Sequence, residues 1–174
     1  VREIAASASP LALWAAVALF LLAAMAADRL RRGRLLRSAR PLVASEWRRE
    51  VEQLGGSVEL FTSSEVDVPV TWGLARPVLL LPPAAEEWSA SLRRHVLLHE
   101  LAHVERCDAA VLGLARLACA LHWFNPLAWW ALRRLVTEAE LAADDQVLLA
   151  GARPSSYAGD LVDFARRLRR PLPR

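Results

Sequence analysis

Apolar and polar positions alternate along this chain in four distinct rhythms. From Ile4 to Ala27 there is no charged residue at all. That exceeds the roughly 20 residues a helix needs to cross a hydrocarbon core, so residues 4–27 are predicted to be a transmembrane helix. A buried soluble helix and a secretory signal peptide are the rival readings, the second because Ala24-Met25-Ala26 has the small residues of a cleavage site. After Pro41, Leu42-Val43, Trp47, Val51 and Leu54 recur at helical spacing and Gly55-Gly56 ends them, which predicts a connector helix with one apolar side. Period-two alternation follows in Ser57–Thr62. Val68–Trp72 and Pro77–Leu81, separated by a turn at Gly73, then read as a hairpin, with Pro69 marking its first arm as an edge strand.

Helical spacing returns from Ser89 or Ser91 through Leu92, Val96 and Leu97 to His103. A second apolar stretch, Ala109–Leu132, is interrupted by Arg116, His122 and Asn125-Pro126, a pair that starts a helix by side-chain capping. That helix is predicted to run to about Ala150 and to stop at Gly151. The segment from Pro154 to Arg170 reads as one more amphipathic helix, with Leu161, Phe164, Ala165 and Leu168 on one side.

Charge changes the picture at the first span. All 22 basic residues are arginine, and the net charge is a modest +3. Arg29, Arg31, Arg32, Arg34, Arg37 and Arg40 follow the apolar run directly. Arginine excess after a span marks the cytoplasmic side, so the rest of the chain is expected in the cytoplasm, at the inner face of the cell membrane. Against a bilayer these arginines meet anionic headgroups, and no direct nucleic-acid binding is expected. The first residue is Val1, which leads to the expectation that this is a piece of a longer polytopic protein with further membrane helices or a sensor domain elsewhere. Three parts follow: the span 4–27, a basic juxtamembrane and connector segment 28–56, and a domain over 57–174. Cys107 and Cys119 have no metal-ligand spacing and are expected to be buried thiols.

The chemistry centres on His99-Glu100-Leu101-Ala102-His103. Histidines four apart share a helical face, about 40° and one turn from each other, so both imidazoles reach one cation while Glu100 lands beside it. Catalytic zinc sites keep three protein ligands plus a water. Glu138, Glu140, Asp144 and Asp145 are the available third ligands, or else a solvated acidic face paired with Arg133 and Arg134. Glu140 and Asp144 share a face, so one can ligate while the other orients an imidazole. Asp108 either caps the next helix or bonds a ligand histidine. His95 is expected at the surface. An oxyanion donor is required for acyl transfer, and Tyr157 and His122 are the candidates, although capping or packing accounts for either.

The order His99–Asp108, then Trp123-Phe-Asn-Pro-Leu-Ala-Trp-Trp130, then Thr137-Glu-Ala-Glu140-Leu-Ala-Ala-Asp144, resembles the membrane metallopeptidase domain of the BlaR/MecR antirepressor family. The similarity runs from about Ser57 to Phe164. It implies an α+β, mostly helical zincin fold with a small hairpin sheet behind a transmembrane helix. It also implies one Zn²⁺ held by His99, His103 and Glu140, with Glu100 as catalytic base and Asp144 behind a ligand histidine. The family often has cysteine where this chain has Ala143, and its penicillin-binding sensor domain is not in this sequence, so no β-lactam stimulus is inferred. The implied function is a membrane-anchored zinc endopeptidase that cleaves a transcriptional repressor, itself, or both. A membrane quality-control metalloprotease and a non-catalytic zinc-stabilised signalling module are the alternatives. If Ala109–Leu132 crossed the bilayer, Glu140 and the histidines would lie on opposite sides, so that stretch is expected to fold back as two helices.

Overall fold

Four consecutive apolar residues, Val78–Leu81, are buried on both faces and form the central strand of the sheet. An unbroken apolar run suits a strand with parallel pairing and cover on both sides. The computed structural model describes residues 9–168; Ile4 to Ala8, Arg169 and Arg170, and the side chains of Ala165, Arg167 and Leu168, lie outside them.

In chain order the elements are α1 (Pro10–Ser38), β1 (Arg40–Pro41), α2 (Ser45–Gln53), β2 (Glu59–Thr62), β3 (Val70–Trp72), β4 (Val78–Leu81) and a 3₁₀ turn (Pro83–Glu87). The helices α3 (Ala90–Glu105), α4 (Asp108–Leu121), α5 (Pro126–Leu149) and α6 (Pro154–Leu168) follow. The architecture is mostly helical with a small four-stranded sheet, as the resemblance implied.

The sheet runs β1-β2-β4-β3. The hairpin of β3 and β4 is antiparallel, Val70 opposite Leu80 and Trp72 opposite Val78, and β3 is the edge strand. Pro69 stands one residue outside it, where its missing N–H costs no ladder bond. Two features were not expected. Strand β2 pairs parallel with β4, and Arg40–Pro41 adds a short antiparallel strand β1 at the other edge. Gly73 makes the hairpin turn at φ 100°, and a Cβ there would sit 2.4 Å from the Arg76 carbonyl oxygen.

Behind the sheet, Trp47 and Val51 of α2, one turn apart, pack with Leu79, Leu81, Trp88, Leu92 and Leu97. The Trp47 and Trp88 rings lie 5.9 Å apart, and Phe164 of α6 meets Trp88 edge-on at 5.6 Å. This core fixes α3 and docks α6 on it.

Helix α1 starts at Ser9, whose hydroxyl accepts from the Ala12 N–H, and continues past Ala27 through the arginines to Ser38. It is long and apolar enough to cross a membrane, with a mean hydropathy of 2.2 in its apolar window. The stretch Ala109–Leu132 does fold back: α4 turns at His122–Asn125 into α5, and the Asn125 Oδ1 accepts from the Leu127 N–H. Two expectations fail. His95 is buried, because its Nδ1 meets Asp160 of α6 at 2.7 Å. Cys107 is exposed, because it sits at φ 55° in the tight turn between α3 and α4, where the side chain points off the core.

Candidate metal centre

Local helix geometry brings His99 and His103 to one face of α3, and the packing of α5 across α3 supplies Glu140. Their donor atoms lie within 4.8 Å of one another. The two Nε2 atoms are 3.2 Å apart, and Glu140 reaches them at 3.6 Å (His99) and 3.8 Å (His103). A tetrahedral site with bonds of about 2.0–2.1 Å has donors about 3.3–3.4 Å apart, so these separations suit a small divalent cation.

The far sides of the imidazoles settle which nitrogen faces that point. His103 Nδ1 donates to Asp108 at 2.7 Å, and His99 Nδ1 donates to Asp144 at 3.0 Å. Both Nε2 atoms therefore carry lone pairs that point at each other, an arrangement a cation relieves. Asp108 is the first residue of α4 rather than its cap; its carboxylate also meets Arg106 at 3.2 Å, and Arg106 donates to the Ala139 carbonyl of α5. Asp144 is shared: the Tyr157 hydroxyl donates to the same oxygen at 2.6 Å. Burial first, then the hydrogen bond to Asp144 and the nearby carboxylates of Asp144, Glu140 and Glu100, hold the Tyr157 phenol well above its ordinary value of 10.0, so it remains a donor.

Glu100 sits half-buried on the same cleft, which measures about 310 Å³, and accepts a short hydrogen bond from the Thr71 hydroxyl of the edge strand. Thr71 was missed in the sequence because nothing local to β3 indicates what it faces across the fold; the hint was its place mid-strand in the arm flagged as an edge. Of the other carboxylates, Glu138 pairs outward with Arg134 at 2.9 Å and Asp145 is exposed. Of the two oxyanion candidates, Tyr157 stands behind His99, 3.4 Å from its Nδ1, and His122 lies far from the centre. The Tyr157 hydroxyl is directed at Asp144, and His122 caps the far end of α4, about 20 Å along the helix from Asp108, with its Nδ1 on the Ala118 carbonyl.

A family model for the BlaR1 peptidase, M56, matches residues 4–167, nearly the whole chain. The chain belongs to that family. M56 proteins are metallopeptidases, which agrees with the donor set on α3 and α5. Among curated relatives, the regulatory protein BlaR1 of Bacillus licheniformis is 37% identical over 52% of this chain and 15% of its own length. The methicillin resistance mecR1 protein of Staphylococcus aureus is 29% identical over 49% of this chain, again 15% of its own. The matched segment is thus a small part of those relatives.

Proposed function

We propose that this chain is the catalytic segment of a membrane-anchored zinc endopeptidase. In this reading it works at the cytoplasmic face and acts in signal transduction by cleaving a transcriptional repressor, itself, or both. The observation that carries the reading is the convergence of His99, His103 and Glu140 within 4.8 Å beside Glu100.

Zinc, when bound by those three residues, supplies Lewis acidity at the cleft. Glu100 is the group that holds and moves the proton. One of its oxygens is engaged by Thr71, which leaves the other to accept a proton from the attacking water and return it to the leaving amine. The free edge of β3 is available to pair with an extended peptide by main-chain hydrogen bonds, which favours a protein substrate over a small molecule. Asp108 and Asp144 hold the imidazoles. The arginines that follow the apolar part of α1 favour the cytoplasmic side. Likeness to a regulatory protein and to a resistance protein favours signalling over quality control.

The test is zinc content and cleavage measured together on the detergent-solubilised chain. Wild type and Glu100→Gln each retain one zinc, Glu140→Ala loses it, and only wild type cleaves itself or an unfolded protein such as casein. Cleavage that survives Glu100→Gln refutes the assignment.

A further inference from the structure

The turn joining α4 to α5, with the flanking helices, carries apolar surface that nothing among the described residues covers. Leu114 is 68% exposed, Leu127 69% and Trp130 61%, with Phe124 at 61% on the tip. From Leu117 to Leu132 there is no charged residue. A water-soluble domain rarely leaves such a contiguous apolar face open.

The face is continuous with α1. Helix α4 packs along α1, and the Trp14 indole N–H, within the apolar stretch of α1, donates to the carbonyl of Leu121 at the tip end of α4 (2.9 Å). At the other end, Ala109 and Arg116 of α4 line the same groove as Asp28, Arg29 and Arg32 of α1. Arg116, the last charge of α4, stands about 8 Å of helix from Leu121, and Arg133 and Arg134 of α5 follow Leu132 of that groove. Helices α4 and α5 become charged about 8–10 Å from the tip, and α1 about 21 Å along from Trp14.

Hydrocarbon also demands that polar groups be satisfied internally, and several groups of the tip are so satisfied. His122 N–H donates to Ala118 O, Asn125 N–H to His122 O, and Ala128 N–H to Asn125 O. Cys119 Sγ–H donates to Ala128 O, and Trp129 Nε1–H to Trp123 O. Among the buried side-chain atoms described there, the indole N–H of Trp123 is the exception.

We infer that residues 117–132 form a re-entrant hairpin in the acyl region, entering from the side that receives the basic end of α1. From Trp14, beside the tip, back to Asp28 is about 21 Å of helix, so the tip enters a core about 30 Å thick and does not cross it. Arg116 lines the metal cleft together with Arg32, so its charge has a polar surface to face inside the protein. The metal cleft, which shares Arg32 and Arg116 with this groove, consequently sits at the headgroup surface.

Nitroxide labels test this on the full chain in vesicles of phosphatidylethanolamine and phosphatidylglycerol. Leu114→Cys, Leu127→Cys, Trp130→Cys and Leu149→Cys are labelled singly, with Cys107 changed to Ser and the buried Cys119 kept. Leu149 is 78% exposed at the far end of α5 and serves as the aqueous reference. Collisions with dissolved oxygen relative to a nickel chelate are expected to be on the order of tenfold higher at Leu127 and Trp130 than at Leu149, with Leu114 in between, because hydrocarbon excludes the polar chelate. Chelate access at Leu127 and Trp130 equal to that at Leu149 overturns the inference. So do low collisions with both reagents, the signature of a protein cover from a second copy or another segment.

Discussion

Replacing Asp108 by Ala removes the acceptor behind one imidazole without touching a metal donor. In the structure that side chain is 10% exposed, 2.7 Å from His103 Nδ1 and 3.2 Å from Arg106. A hydrogen bond to a charged acceptor contributes about 1.5–3 kcal/mol, and loss of such outer partners lowers metal affinity about 10- to 100-fold. Here the upper end is expected. Water does not readily replace a buried oxygen, and the freed Nδ1–H is left beside the Arg106 guanidinium, another donor. Asp144→Ala is expected to cost less, about tenfold, because that side chain is 38% exposed and water can take over its bond. The assay is zinc affinity by competition with a fluorescent chelator in detergent, with far-UV circular dichroism to confirm folding. Glu138→Ala, which breaks only an exposed pair with Arg134, is the control and leaves affinity unchanged. An Asp108→Ala chain that folds and binds zinc within threefold of wild type, or that binds more tightly than Asp144→Ala, refutes this account of the centre.

Other outcomes follow from single contacts. Thr71→Val removes the hydroxyl on Glu100 and is expected to lower kcat about tenfold with zinc content and fold unchanged; an unaltered kcat would show that Glu100 positions itself unaided. Gly73→Ala forces a Cβ against the Arg76 carbonyl at a φ that L-residues avoid, so a loss of at least about 1–3 kcal/mol in chemical denaturation is expected. His95→Ala leaves Asp160 without its buried partner and should destabilise the chain by about 2 kcal/mol. It should also loosen α6 and speed hydrogen exchange across Pro154–Leu168, whereas uniform protection there would count against that docking role.

The helical face shared by His99 and His103 was legible because it depends only on spacing four residues apart. The same holds for the cap at Asn125 and the stop at Gly151. What the sequence hid was non-local. Thr71 meets Glu100 across 29 positions and His95 meets Asp160 across 65, pairings set by how the sheet and α6 lie on α3. A lone histidine among arginines reads as surface until its partner is seen. Residues Arg40–Pro41 carry no strand pattern of their own and become β1 because β2 offers a free edge. Cys107 looked apolar, and the backbone of a one-residue turn overrode that preference. Glu140 was one of several carboxylates by periodicity; the family likeness singled it out, and the α3–α5 packing brings it to the imidazoles.

Helix α5 is unbroken from Pro126 at the hairpin tip to Glu140 and Asp144 at the centre. Those 14 residues make a lever about 21 Å long. A tilt of only about 5° about the tip swings the Glu140 end by about 2 Å, a full coordination bond. Asp144 would move with it, while His103, tethered to Asp108 just beyond its own helix, would stay. With the tip in the bilayer as inferred above, bilayer thickness and lateral pressure acting on one end of this rod would be mechanically geared to the arrangement of Glu140 at the other.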